Sequence, residues 1–181
     1  MKLLTSGKTN YKIAKGEGQG YLNFILSLSP SDLSGYNTCP KASPGCREAC
    51  LNTAGRAVFS NVQESRLRKT RYYFINREGF LNDLREDLRL VEKQAHKKGL
   101  LPVVRLNSTS DLNWNDIIRE FPSIQFYDYT KVLKRFQNKP SNYHLTFSKS
   151  EKNNSEVKQA IAQGYNVAMV FNHNEGLPAR Y

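Results

Sequence analysis

Residues 100–171 read LLPVVRLNSTSDLNWNDIIREFPSIQFYDYTKVLKRFQNKPSNYHLTFSKSEKNNSEVKQAIAQGYNVAMVF. Four runs in this stretch read as strands: Leu100–Leu106 (LLPVVRL), Ile124–Tyr129 (IQFYDY), Tyr143–Ser148 (YHLTFS) and Asn166–Phe171 (NVAMVF). Between them lie segments that read as short helices: Asn115–Phe121, Lys131–Gln137, and Ser155–Gln163 with Gly164 as its stop. Strands alternating with helices are the pattern of a parallel sheet. The near-continuous apolar run NVAMVF suits a strand covered on both faces.

Upstream, Tyr21–Leu28 (YLNFILSL) is a further expected strand, ended by the turn-forming Ser29-Pro30-Ser31-Asp32. Val62–Asn76 is basic and reads as helical. Glu78–Lys98 is the clearest helix. Its Phe80, Leu81, Leu84, Leu88, Val91 and Ala95 recur at spacings of three and four, and Gly99 is the expected stop. Five strands are too few for a closed eight-stranded barrel. The expected fold class is therefore α/β: an open partial (β/α) barrel or a five-stranded, mostly parallel sheet. The chain has no repeat, linker or low-complexity tract, so residues 1–181 read as a single domain.

The chain has 181 residues, 39% of them apolar, with ten Tyr and nine Phe, enough to build a core and too aromatic for a disordered chain. No window approaches a membrane-spanning length of apolar residues. Met1–Asn10 has one short apolar pair and no signal-peptide core, so a cytoplasmic protein is expected. Basic residues outnumber acidic ones 27 to 16, a net charge of +11. That balance favours an anionic partner such as single-stranded nucleic acid or a phosphorylated ligand, although a merely soluble basic surface reads the same way.

Three cysteines, Cys39, Cys46 and Cys50, fall in YNTCPKASPGCREACLNTAG, within the loop Ser34–Gly55. An odd number of thiols in a short segment argues against a disulfide framework. Pro40, Pro44 and Gly45 let the loop fold back so that the three sulfurs can meet. Three readings stay open: an iron–sulfur cluster, a zinc site, or reduced thiols in a packed loop. A four-iron cluster held by three cysteines would leave one iron open to a small ligand.

In open parallel sheets ligands bind at the carboxyl ends of the strands. Those ends are polar here: Asn107-Ser108-Thr109-Ser110-Asp111, Thr130-Lys131, Ser148-Lys149-Ser150-Glu151 and Asn172-His173-Asn174-Glu175. Arg105 and Lys131 are candidates to clamp a carboxylate or phosphate, and Asp111 and Glu151 to hold an amine or metal-bound water. Asn107, Ser110, Tyr127, Ser148 and Lys149 complete the candidate ligand set. Alternation along IQFYDY sends Tyr127 and Tyr129 to one face and Asp128 to the other. Any single Ser or Asn among these residues is equally suited to cap a following helix. The basic run with Arg66, Arg68, Lys69 and Arg71, followed by Tyr72-Tyr73-Phe74, is a candidate single-stranded nucleic-acid site or a solvated helix face. The chain has no Walker-type loop, no G-x-G-x-x-G, no G-x-S-x-G and no His-hydrophobic-His element.

The segments LSLSPSDLSGYNTCPKASPGCREACLNTAG, VVRLNSTSDLNW, FYDYTK, NYHLTFSKSE and NVAMVF resemble the phage and plasmid "gene product 88" family over most of the chain. That resemblance implies a phage- or plasmid-encoded protein acting in the cytoplasm of a bacterial host. Family members often continue past the point where this chain ends, which implies a short or truncated member. A second, weaker resemblance is to the partial barrel of radical S-adenosylmethionine enzymes, which also place a three-cysteine loop after the first strand. It implies a four-iron cluster, S-adenosylmethionine as its ligand, and radical-type chemistry at the strand ends. The cysteine spacing here is C-x6-C-x3-C where those enzymes use C-x3-C-x2-C. Where they carry Gly-Gly-Glu, this chain reads NSTSD with Asp111 as its acidic residue. The alternative is a non-catalytic accessory protein that binds nucleic acid or a host factor, with a structural zinc or an empty cysteine site.

Overall fold

The computed structural model describes residues 1–7, 16–171 and 176. The expected polar segment Asn172–Glu175, with His173, lies outside the described residues. The strands are β1 (Leu4–Ser6), β2 (Tyr21–Leu26), β3 (Leu101–Arg105), β4 (Gln125–Thr130), β5 (Tyr143–Ser148) and β6 (Val167–Ala168). The helices are α1 (Pro44–Glu48), α2 (Ser60–Ile75), α3 (Arg77–Lys98), α4 (Asn115–Arg119) and α5 (Asn154–Ala162). All six strands join one sheet in the order β1-β2-β3-β4-β5-β6, so the fold is mixed α/β. From β2 to β6 each neighbouring pair is parallel.

Three expectations are corrected here. First, the sheet has six strands rather than five. β1 pairs antiparallel with β2 through Leu4↔Leu26, and at three residues it is too short to show a pattern in the sequence. Second, the final strand shrinks from six residues to two, and Val170 is 97% exposed. Third, the segment Lys131–Gln137 makes only one 3-10 turn, Leu133–Phe136.

A further correction concerns the layers. The strands alternate in burial instead of being covered on both sides. Leu22, Phe24 and Leu26 of β2, Val104, Phe126, and Tyr143, Leu145 and Phe147 of β5 face one common core. Phe80, Leu84, Leu88, Val91 and Ala95 of α3, Ile117 and Ile118 of α4, and Val157 and Ala160 of α5 pack into that same core. The buried Ile25 and Val103 stand outside it, on the other face. That face also carries Tyr21, Leu101 and Tyr129, which are 42%, 62% and 45% exposed, together with exposed Gln125 and His144. Among the described residues the helices thus back one side of the sheet, and the other side carries several exposed side chains around the buried Ile25 and Val103. A two-residue alternation is what that environment selects.

Helix α3 is the main support of the covered face. Its apolar stripe runs one side of six turns, and its ends are well closed. The Asn76 side chain accepts from the Gly79 N–H at 2.9 Å, Glu78 lies in the first turn, and His96, Lys97 and Lys98 in the last. Gly99 ends the helix in the left-handed region at φ +62, with its N–H bonded to the His96 carbonyl. A Cβ at this position would meet nothing within 4 Å, so a side chain there is opposed by backbone conformation alone. Gly99→Ala is expected to lower stability by about 1–2 kcal/mol in urea unfolding, with no change in the slope.

Candidate metal centre and strand-end site

The cysteine loop begins where β2 ends and is fastened to the carboxyl end of the sheet. Thr38, fully buried, donates from its hydroxyl to the Ser29 carbonyl at 2.7 Å and from its N–H to the Ser31 carbonyl at 2.9 Å. Its own carbonyl accepts the Asp111 N–H at 2.8 Å, which ties the loop to the segment after β3. The other tie comes from Glu151, after β5. Its carboxylate accepts from the Ser43 hydroxyl at 2.8 Å and from the Gly45 N–H at 3.0 Å. Ser43 is also the N-cap of α1, accepting from the Cys46 N–H, with Pro44 at the first helical position. These bonds, the Ser43 hydroxyl foremost, hold the Glu151 carboxyl below its ordinary range. A Cβ on Gly45 would sit 3.2 Å from the Glu151 Oε1, so glycine admits this approach. Glu151→Ala is expected to speed amide hydrogen exchange across residues 43–50 while leaving exchange in β3 to β5 unchanged.

All three cysteines are free and half-buried. The Cys39 sulfur accepts from the Ser31 N–H at 3.3 Å and faces the Thr109 carbonyl at 3.7 Å. Burial pushes its thiol up. Cys46 lies on α1, and Cys50 precedes a 3-10 turn at Leu51–Thr53. Ser31 itself has φ +51, the left-handed region, and among the described residues its buried hydroxyl has no hydrogen-bond partner. The donor chemistry, three unpaired thiols in one loop, fits a soft metal. The placement is not closed: among the described residues no three His, Cys, Asp or Glu side chains stand together as a metal-holding group.

The strand-end residues divide into two sets. Asn107 and Asp111 are spent on the fold. The Asn107 Oδ1 accepts from the Ser110 hydroxyl, the Leu112 N–H and the Trp114 indole at 2.9–3.0 Å. The Asp111 carboxylate accepts from the Thr130 hydroxyl at 2.8 Å and the Lys131 N–H at 3.0 Å, and pairs with Arg135 at 3.2 Å. Arg135 also donates to the Asp111 and Leu112 carbonyls. Asp111, which the weaker resemblance puts where an amine would be held, therefore already has its partners within the protein. Ser110 is buried in the same knot.

The second set faces outward. The Lys131 ammonium donates to the Ser148 hydroxyl at 3.1 Å, Lys149 is exposed, and Tyr127 is half-buried on the face away from the helices, its phenol pushed up by burial. Arg105 lies over the Tyr129 ring at 5.2 Å.

Sequence reasoning assigned no role to Asp128. Its carboxyl is 2% exposed and sits where β3 and β4, paired only at Val103↔Gln125 and Val104↔Phe126, part company. It accepts from the Asn107 N–H at 2.8 Å and the Tyr143 hydroxyl at 3.0 Å, and lies 3.6 Å from the Arg105 Nε. Burial raises its pKa to about 7 against the pull of Arg105, and burial beside Asp128 pushes the Tyr143 phenol up as well. The signal was present: a single acid between two tyrosines, alternating toward the covered face.

The basic run on α2 is also divided. Arg66 donates to the Asn52 Oδ1, and burial lowers its pKa. Lys69 donates to the Leu3 carbonyl at 2.7 Å. Arg68, 4.0 Å from Glu64, and Arg71 are exposed. Two of the four candidate nucleic-acid residues thus serve to hold the cysteine loop and β1 in place.

A family model described as Gene product 88 matches residues 2–181. The chain belongs to the gene product 88 family. No curated protein and no solved structure matches it. Among the described residues of this family member, no helix is long and apolar enough to cross a membrane.

Proposed function

We propose that this gene product 88 family protein holds an iron–sulfur cluster on Cys39, Cys46 and Cys50, at the carboxyl end of a partial (β/α) barrel. The observation that carries the reading is the double fastening of the cysteine loop, by Asp111 to the end of β3 and by Glu151 to the end of β5. That fastening sets three free thiols at the end of the sheet where open parallel sheets bind ligands. The one-sided parallel sheet, whose strand order follows the chain, supports the partial-barrel reading. Among the described residues the three thiols do not stand together as a metal-holding group, so holding a cluster requires the loop to rearrange. Arg66 is suited to offset the negative charge of bound thiolates. Reduced thiols fit the cytoplasm of a bacterial host, where a phage- or plasmid-encoded protein would act. When present, a three-thiolate cluster with one open iron supplies one-electron chemistry. Arg105, Tyr127, Lys131 and Ser148 are the residues placed to orient a ligand beside it. Iron and acid-labile sulfide analysis of protein prepared without oxygen tests the reading. Zinc in place of iron moves the chain to a structural metal site.

A further inference from the structure

The face of the sheet away from the helices carries two exposed rings, Tyr21 and Tyr129, that the cysteine reading does not use, beside Arg105 and Lys131, which it shares. Across β2 to β5 it presents Tyr21, Tyr127 and Tyr129, the cation Arg105 and the hydrogen-bonding His144, with no Asp or Glu at any of its alternating strand positions. Tyr21 and Tyr129 are about half exposed, although an aromatic ring in a sheet is ordinarily covered. The Arg105 guanidinium stands over the Tyr129 ring at 5.2 Å; its buried Nε faces Asp128 at 3.6 Å, and its side chain stays 20% exposed. At the carboxyl end of the same face, the Lys131 ammonium reaches Ser148. Exposed rings interleaved with cations on a sheet are how single-stranded nucleic acids are held: bases stack on the rings and phosphates lie against the cations. A net charge of +11 supplies the long-range attraction.

We propose that this face binds single-stranded nucleic acid, its bases stacked on Tyr21 and Tyr129 and its phosphates on Arg105 and Lys131. The site differs from the basic run of α2, and the inference does not rest on the cysteine reading.

The test uses the full chain and a fluorescein-labelled 20-nucleotide oligo-dT, followed by anisotropy at several salt concentrations. Binding that weakens steeply with salt is expected. Tyr21→Ala and Tyr129→Ala should each weaken it about tenfold with little change in the salt slope. Tyr129→Phe, which keeps the ring, should bind like the native chain. Both tyrosines project from the face away from the helices, so circular dichroism should report unchanged folding, and the phenylalanine variant keeps the test valid if an alanine variant does not fold. The double change Arg68→Ala with Arg71→Ala should alter affinity less than threefold. Four results would overturn the proposal: no binding at low salt, loss of binding on changing Arg68 and Arg71 with the tyrosine variants unaffected, equal binding to duplex DNA, or full displacement by micromolar mononucleotide. The last would make the ligand a free nucleotide instead.

Discussion

Protein expressed with iron and sulfide and purified without oxygen should be brown, absorb broadly near 400 nm, and contain both elements. Cys39→Ser, Cys46→Ser and Cys50→Ser should each abolish the colour, because a hydroxyl is a poor ligand for iron and no fourth cysteine exists in the chain to replace it. The three losses should be similar in size, since all three thiols belong to one loop fastened at both ends. Arg66→Ala should leave the iron bound but shift its reduction potential downward, as removal of a nearby cation disfavours the more negative state. Glu151→Ala should retain less metal than the native chain, through the loosened α1 and not through a lost ligand. Exposure to air should bleach the protein, because partly exposed thiolates oxidise. Anaerobic protein with full occupancy by zinc and no iron would overturn the cluster. Thiols that titrate freely with no metal in any preparation would leave a packed, reduced loop.

Replacing Asp128 by alanine should destabilise the fold by about 3–5 kcal/mol, because it strands the Asn107 N–H, the Tyr143 hydroxyl and the Arg105 side chain where strands β3 and β4 separate. The pH dependence has a definite sign. The folded pKa, about 7, lies above the ordinary carboxyl value of 3.8. The fold therefore favours the protonated acid. Its contribution is full below about pH 4 and is lost as pH rises through 7. Native protein should thus lose on the order of 2–4 kcal/mol from this group between pH 4 and pH 8. Asp128→Asn keeps the shape and one acceptor while removing the titration. Its unfolding free energy, measured in urea at pH 5 and pH 8, should change with pH much less than that of the native chain. An identical pH slope for the two proteins would show that Asp128 does not titrate in this range.

The elements were legible where local pattern and tertiary environment agree. Phe80, Leu84, Leu88, Val91 and Ala95 repeat with the helical period and Gly99 stops it, so the expected Glu78–Lys98 falls within one residue of α3, although Asn76, its N-cap, was read as the end of the preceding helix. YHLTFS became a strand with its expected ends because its alternation is complete. NVAMVF misled because apolarity without partners makes no strand: only Val167 and Ala168 find a register on β5. β1 escaped notice because three residues carry no period, and its pairing partner lies some twenty residues downstream.

The candidate site was half legible. Polar residues after each strand, and a cysteine loop after the first parallel one, can be read from order along the chain, since the parallel arrangement sends all those ends to one side. Which of them are free to bind anything cannot be read that way. Asn107, Ser110 and Asp111 look identical in sequence whether they face a ligand or, as here, close the backbone around Asp128 and Arg135. The division of Arg66 and Lys69 from Arg68 and Arg71 likewise depends on what lies beneath α2. Sequence by itself determined the α/β class, the position of the three thiols and the charge, because these follow from local periodicity and composition. Only the tertiary structure decided that, among the described residues, the helices cover one face of the sheet and that Asp128 is the more deeply buried of two buried acids. Both depend on which side the helices pack, and that is settled by long-range burial, to which each strand contributes only its alternation.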